Sequence, residues 1–282
     1  MSTTQQSRSM RAIMDARYLE AKGKLRLAEK LGVGLSGLAI LAAILPEGPL
    51  ALSWSVGVLS LVILAAQMVF SHHFRTAYGG AESIRQAFLL SDGLGEPVPA
   101  TFLARLEPSG KAVSAPKEPY YNSHLQPGLP RLLMITWESA YFTEGLQKPF
   151  RRELWWYAFI STVGVVVAAL LLLQGSEATV TAKVIAPAMA AVVTLNLWSR
   201  WWDCTQLQSL CAEVSSDCEN LVRRGESPLT DVMQIVLRYS VAVAASHPWP
   251  ERIYAANSES LKKGWNAIVA SLDTDLDASG RA

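Results

Sequence analysis

Four segments without a single Asp, Glu, Lys or Arg limit most strongly what this chain can fold into. They are residues 31–46, 48–71, 154–176 and 184–199. A helix that crosses a bilayer needs about 17 to 25 largely apolar residues. The first and fourth segments reach that length only with flanking residues, beginning near Ala28 and extending to Trp202. We therefore predict four transmembrane helices.

The composition agrees with a chain that is part membrane and part cytosol. Half of the 282 residues are hydrophobic and 17% are charged, which is too apolar for an ordinary soluble domain and too charged for a fully buried transporter. The first segment follows thirty mostly polar residues and has no small-residue cleavage site after it, so a secretory signal is not indicated. We expect all four segments to be retained.

The distribution of positive charge predicts the orientation. Of 25 Lys and Arg, seven precede the first segment, nine lie between the second and third, eight follow the fourth, and only Lys183 lies in an outer turn. Arg151 and Arg152, with Trp155 and Trp156, resemble a cation stop and an interfacial anchor. Both termini and the long central loop are therefore predicted to face the cytoplasm, in a multi-pass protein of the cytoplasmic membrane.

The predicted fold class is an all-α membrane protein, with four transmembrane helices as two tandem helical hairpins and with cytosolic helical extensions. The predicted domains are a cytosolic amphipathic helix (1–30), a first transmembrane hairpin (28–71), a cytosolic helix with a Pro/Gly-rich loop (72–153), a second hairpin (154–202), a cytosolic helical region (203–268) and a flexible acidic tail (269–282).

The two hairpins are similar enough to be copies of one unit. Each begins with an amphipathic helix that carries a tyrosine and continues into a cytosolic helix. Segments 81–97 and 212–228 share Ala-Glu, a leucine eight residues after the glutamate, and Gly-Glu before a proline. Both hairpins run in the same direction, which predicts a pseudo-twofold axis along the membrane normal and disfavours an inverted-repeat transporter. Small residues in 34–39 suit close helix packing.

The three cysteines form part of a heptad pattern. They recur every seven residues, with apolar residues at the intervening positions, so a seam is predicted at Cys204, Leu207, Cys211, Val214, Cys218 and Leu221. Seven helical residues rise about 10.5 Å, so two of these thiols on one helix cannot pair or share a metal. The seam is either structural, which is the default interpretation, or the contact at which this helix meets its own copy in a homo-oligomer.

Other polar groups give weaker indications. Asp273 and Asp275 begin like a calcium loop, but an alanine stands at the position of the obligatory glycine. His72 and His73 are adjacent on a helix and point about 100° apart, so a shared metal ion is not expected.

Thr194 and Asn196 are pore or gate candidates within the fourth segment, although Asn196 more often marks an interhelical hydrogen bond. We find no catalytic or phosphate-loop motif, and we expect no enzyme activity and no cofactor.

The segment 93–132 holds seven of the fourteen prolines, so regular structure can hardly continue through it. Its last third carries Tyr120, Tyr121 and Arg131. The segment is either a binding loop or a linker whose tyrosines pack on neighbouring helices, and we favour the linker.

The arrangement resembles a known family. Tyr18, Ala21 and Lys22 begin a basic amphipathic helix, and the later motifs EPYYNS, ESAYF and HPWPERIY flank the spans. Over about residues 10–265, this layout is similar to the SMODS-associated four-transmembrane effectors and the related two-span SLATT domains. The resemblance implies a bacterial antiphage effector. Such a protein permeabilises the inner membrane, causing abortive infection, once a neighbouring nucleotidyltransferase makes a cyclic oligonucleotide.

A cyclic nucleotide requires arginines for its phosphates and aromatic rings for its bases. The candidate ligand residues are Tyr120, Tyr121, Arg131, Trp137, Arg223, Arg224, Trp249, Arg252 and Tyr254. The expected partners are membrane lipids, further copies of the chain and a cyclic oligonucleotide, but not DNA or RNA. The alternative hypothesis is a non-catalytic membrane-anchored scaffold that tethers a cytosolic signalling partner, for example through the seam.

Overall fold

The computed structural model describes residues 3–44, 50–99, 101, 102, 105, 121, 123–172 and 177–279. The described residues form six long α-helices and no strand, which confirms the all-helical prediction for this part of the chain. The helices are α1 (Thr3–Ile44), α2 (Leu50–Leu94), α3 (Leu129–Leu172), α4 (Glu177–Arg224), α5 (Leu229–Ala245) and α6 (Glu251–Ser279).

The helices are divided between two compact units. Unit 1 consists of Met1–Leu19, Tyr78–Phe150 and Asp203–Ala282, and unit 2 consists of Glu20–Ala77 and Arg151–Trp202. Each of α1 to α4 contributes residues to both units, whereas α5 and α6 belong to unit 1. Unit 2 contains both segments that the sequence predicts as hairpins.

Unit 1 has a buried apolar core. The helix α5 shows its pattern most simply, because Val232, Ile235, Val236, Tyr239 and Val243 are buried at helical spacing. Such a stripe of about 100° faces a core. The stripe packs into a cluster of buried side chains from all six helices, which includes Met14, Phe88, Leu133, Cys211 and Trp265.

Two glycines end the helices of the internal repeat. Gly95 after α2 and Gly225 after α4 have φ of 78° and 66°, a left-handed conformation that glycine adopts without steric cost. Their amides donate to the carbonyl oxygens of Ser91 and Val222, at 2.8 and 3.0 Å. The shared Gly-Glu motif thus corresponds to a shared helix termination.

The acidic end of the chain differs from the flexible tail predicted for 269–282. The helix α6 continues to Ser279. Leu272 is 4% exposed within the core of unit 1, and Ile268 and Val269 pack against that core. The apolar stripe therefore continues into the acidic segment and holds its first turns in the helix.

Unit 2 packs its helices closely at Gly32. A methyl group added there would lie 3.1 Å from Cγ1 of Val193 and 3.3 Å from Nε2 of Gln67. Gly34 and Gly37, at which the sequence predicted close packing, have nothing within 4 Å and are exposed. The close approach of α1 to α2 and α4 is therefore at Gly32, two residues before Gly34.

One described helix passes the test for a membrane span. The stretch Trp54–Leu94 is long and apolar enough to cross a bilayer, and only 11% of its most apolar window is buried. The core helix of a soluble protein would be mostly buried. Segments 31–46 and 154–176 extend beyond the described residues, so the four-span arrangement stays a prediction.

A larger side chain should distinguish Gly32 from Gly34. We expect Gly32→Leu to lower the free energy of unfolding by about 2 kcal/mol, because overpacking displaces Val193 and Gln67. Gly34→Leu enters open space and serves as the matched control. Thermal melting of the purified chain in detergent, followed by circular dichroism, measures both. Equal melting temperatures would contradict the packing at Gly32.

Candidate functional site

A buried ion pair lies at the centre of unit 1. Glu82 and Arg85 are three residues apart on α2, so both side chains lie on one face of the helix. Nε of Arg85 is 2.6 Å from Oε2 of Glu82, and the side chains are 6% (Arg85) and 2% (Glu82) exposed. Removing two charges from water is costly unless they are paired and hydrogen-bonded, so this pair needs support from its surroundings.

Three other helices supply that support. Tyr18 of α1 donates its hydroxyl hydrogen to Oε1 of Glu82. The guanidinium carbon of Arg85 lies 5.0 Å from the centre of the Tyr239 ring of α5, a distance at which a cation is attracted to the face of the ring. The Tyr239 hydroxyl is 3.0 Å from Oγ1 of Thr143 of α3. Four helices therefore meet at one ion pair.

A tyrosine of α2, Tyr78, joins the same region to the end of α5. The hydroxyl of Tyr78 donates to the carbonyl oxygen of Val243 at 3.2 Å and lies 3.4 Å from Oγ of Ser246. The rings of Tyr18 and Tyr78 are 5.9 Å apart. We call the group formed by Tyr18, Tyr78, Glu82, Arg85, Thr143 and Tyr239 the polar centre.

The polar centre has hydrogen-bonding capacity that the described residues do not use. Nη1 and Nη2 of Arg85 have no hydrogen-bond partner among those residues, and neither have the amide nitrogen and oxygen of Gln147. Gln147 is 0% exposed and follows Thr143 by four residues on α3, so it lies on the same face of the helix. Buried polar atoms in folded proteins are nearly always satisfied, which makes this region the strongest candidate for binding.

The polar centre does not contain an activated thiol. Burial, helped by the nearby charge of Glu144 and opposed by Arg85, raises the pKa of Cys211 to about 12. Burial also raises the pKa of Tyr239, again against the effect of Arg85. Because the thiolate is the nucleophilic form of cysteine, Cys211 is inert at neutral pH. Among the described residues, no group of three His, Cys, Asp or Glu could hold a metal ion.

Arg131, a predicted ligand residue, is engaged by the chain itself. Its Nη2 is 2.8 Å from Oδ2 of Asp92, and its other nitrogens donate to the carbonyl oxygens of Asp92, Ser123 and Leu125 at 2.7 to 2.9 Å. The guanidinium thus fixes residues 123–125 at the end of α2. This agrees with the linker interpretation more than with a binding loop.

The other predicted ligand residues do not form one site in the contacts that the structure shows. Trp137 and Tyr121 are 2% and 6% exposed, against Trp265 and Phe88, with ring centres 5.4 and 5.8 Å apart. Arg223 pairs with Glu219 at 2.9 Å. Arg224, Arg252 and Tyr254 are exposed, Trp249 is half-buried, and Tyr120 lies outside the described residues.

The predicted oligomer seam is covered by the chain's own helices. Its six residues are between 0% and 9% exposed, and five of them belong to the core of unit 1. The periodicity correctly predicted a buried stripe, but the stripe faces α-helices of the same chain. The three cysteines Cys204, Cys211 and Cys218 are 0% exposed, which favours the structural interpretation of the seam over a contact between copies.

The pore candidates of unit 2 lie on opposite sides of α4. Thr194 is 6% exposed, and its Oγ1 is 2.7 Å from Oγ of Ser161 on α3. Asn196 is exposed. The interior of unit 2 also contains Gln67, whose Oε1 has no hydrogen-bond partner among the described residues. Arg200, 6% exposed, is 3.0 Å from Glu29.

The residues of the polar centre were largely missed from the sequence. Tyr18 was noted only as part of the amphipathic start of α1. Glu82 entered the sequence analysis only through the Ala-Glu of the repeat at 81–97, and Arg85, Tyr239 and Gln147 were not singled out. A signal was present in residues 78–90, where Glu82 and Arg85 are the only two charged residues, because a solvated face should carry more charges.

No protein-family model, no curated protein and no solved structure matches this chain.

Removing one partner of the buried ion pair should destabilise unit 1 strongly. We expect Arg85→Gln to cost about 3 to 5 kcal/mol, because Glu82 is left as an uncompensated buried charge. Arg238→Gln is the matched control, because Arg238 is 36% exposed and pairs at the surface with Glu213 and Asp217. That change should cost at most about 1 kcal/mol. Thermal melting measures both variants, and similar losses would contradict the role of the buried pair.

The native thiols should resist modification. At pH 8 we expect a maleimide reagent to label none of Cys204, Cys211 and Cys218 in the folded chain, because all three are 0% exposed and protonated thiols react slowly. After denaturation in SDS, mass spectrometry should find three labels. Rapid labelling of the folded chain, or a disulfide-linked dimer of the wild type after mild oxidation, would show that the seam is accessible.

Proposed function

We propose that this chain is a four-span protein of the bacterial cytoplasmic membrane that permeabilises the membrane in response to a cytosolic signal. In this proposal unit 2 is the membrane-embedded part and unit 1 is a cytoplasmic receiver. The observation that carries the proposal is the distribution of apolar and charged side chains over unit 2.

The contacts within unit 2 set the level of its helices relative to one another. Glu29 of α1 pairs with Arg200 of α4. One turn further along α1, Gly32 lies beside Gln67 of α2 and Val193 of α4. The Glu29–Arg200 pair therefore marks one level of the unit, and the side chains on either side of that level can be compared.

On one side of this level the surface is apolar. Large hydrophobic side chains of α1 to α4 are exposed there: Val33, Leu41, Val58, Leu59, Leu61, Val62, Ile160, Val163, Val166, Val167, Leu170, Val192 and Leu195. Water would not tolerate so large a continuous apolar surface on a monomer. Ser60, Gln67 and Thr194 point inward, which is the arrangement expected for polar side chains in lipid.

At this level and on its other side, the exposed side chains include cations and tryptophans as well as Leu27 and Glu29. The cations and tryptophans are Arg26, Lys30, Arg75, Arg152, Trp155, Trp156 and Trp202. Tryptophan favours the headgroup region, and Lys and Arg accumulate on the cytoplasmic side. The end of unit 2 from which the chain continues into unit 1 is thus the cytoplasmic one, and both termini are assigned to the cytoplasm.

The polar centre supports the receiver role. Its unused donors on Arg85 lie among Tyr18, Thr143 and Tyr239, so a bound ligand or partner would act on four helices at once. Because α1 to α4 contribute to both units, their packing is the means by which such a ligand could favour an open or assembled state. A ligand shifts this equilibrium only by its difference in affinity for the two states.

The test is dye release from liposomes that hold the purified chain. We expect one member of a panel of cyclic di- and trinucleotides, the class of signal that the resemblance implies, to trigger release. Release requires the protein, so vesicles without it are the control, and protease protection verifies that unit 1 is accessible.

Absence of release with every compound, in vesicles that contain accessible unit 1, would contradict the effector proposal. It would favour a membrane-anchored scaffold or activation by a protein partner. Recovery of the chain from cells in the soluble fraction would contradict the membrane assignment itself.

A further inference from the structure

We propose that the outer surface of α4 in unit 2, centred on Asn196, binds the same surface of a second copy of this chain. The proposal rests on the membrane function proposed above and names the contact through which copies would assemble. The Asn196 face consists of the exposed residues Ala188, Val192, Leu195, Asn196, Ser199 and Trp202. Their spacing of three or four residues places them along one side of the helix.

The Asn196 side chain lies on the side of α4 that faces away from the other described helices of unit 2. The opposite side of α4 carries Ala190, Val193, Thr194 and Arg200, which are between 1% and 8% exposed and make the contacts with the other helices. The described residues form no hydrogen bond with the Asn196 side chain. An asparagine side chain has two N–H donors and a carbonyl acceptor, and the hydrocarbon of a bilayer offers partners for neither.

The rest of the apolar surface does not share this feature. The exposed side chains of α2 from Val58 to Met68 and of α3 from Phe159 to Leu170 are hydrocarbon or aromatic. The other amide of the described apolar segments, Gln67, is 9% exposed and faces the interior. An amide is not expected on a surface that contacts only lipid. The exposed face of α4, unlike those of α2 and α3, is therefore expected to contact protein.

A second copy is the partner that fits the chemistry. A carboxamide both donates and accepts, so two Asn196 side chains related by a twofold axis can hydrogen-bond each other, as a closed symmetric contact requires. Asparagine side chains form such bonds across transmembrane helices, and small neighbours let the backbones approach. Ala188 and Ser199 are small and flank Asn196 on the same face. The predicted homo-oligomer is thus assigned to this face and not to the cysteine seam.

The test is oxidative crosslinking, in native membranes, of Val192→Cys, which lies one turn from Asn196 on the same face and keeps the amide. The three native cysteines are 0% exposed, so they give no background. Val163→Cys is the matched control, because Val163 is exposed on α3 close to the level at which Ser161 contacts Thr194. With copper phenanthroline, we expect Val192→Cys to give roughly tenfold more disulfide dimer than Val163→Cys.

A second comparison tests whether the contact requires the amide of residue 196 or only two helices that lie close together. In a Ser199→Cys background, we expect Asn196→Leu to reduce the dimer by roughly tenfold, whereas Asn196→Gln should retain it. Dimer from Val192→Cys that does not exceed dimer from Val163→Cys would overturn the proposal, as would an Asn196→Leu variant that crosslinks like its parent.

Extraction with alkaline carbonate distinguishes the two possible failures. If the chain stays in the membrane pellet but Val192→Cys does not crosslink, the contact is wrong and the membrane function stands. If carbonate releases the chain from the membrane, both proposals are overturned together.

Discussion

The arrangement of unit 1 depends on keeping two charges, Glu82 and Arg85, out of water. Their mutual attraction offsets only part of the desolvation cost, so Tyr18, Thr143 and Tyr239 are brought to them by three other helices. Apolar residues of similar size could fill the same space without that cost. The pair therefore contributes less to the stability of unit 1 than to the choice of helix arrangement, because a misplaced helix would leave a buried charge without its partners.

The two units bury opposite kinds of side chain along the same helices. In unit 1 the apolar faces of α2 and α4 are inside, for example at Ile84, Leu89 and Val214, and charged residues such as Glu213 and Arg223 are outside. In unit 2 the same two helices turn Gln67 and Arg200 inward and expose hydrocarbon. This reversal of the pattern along a single helix is what the proposed division between cytoplasm and membrane requires.

Local features of this chain were readable from the sequence, and contacts between distant residues were not. The uncharged segments predicted long helices, and the shared Gly-Glu motif proved to mark left-handed helix ends at Gly95 and Gly225. The heptad pattern predicted that Cys211 is buried but could not show what covers it, because periodicity reports only that a stripe is hidden. Tyr239 lies far from Arg85 in the chain, and nothing local to either residue indicates that their side chains meet.

The discontinuity of unit 1 has a consequence for biosynthesis. Its last stretch begins at Asp203, and Tyr239 is translated about 150 residues after Arg85. At roughly 5 to 20 residues per second, the ribosome exposes Glu82 and Arg85 for many seconds before the ring that covers them exists. A nascent chain therefore completes the segments of unit 2 first and closes unit 1 only at the end of translation, so a truncated product would contain unit 2 without a finished polar centre.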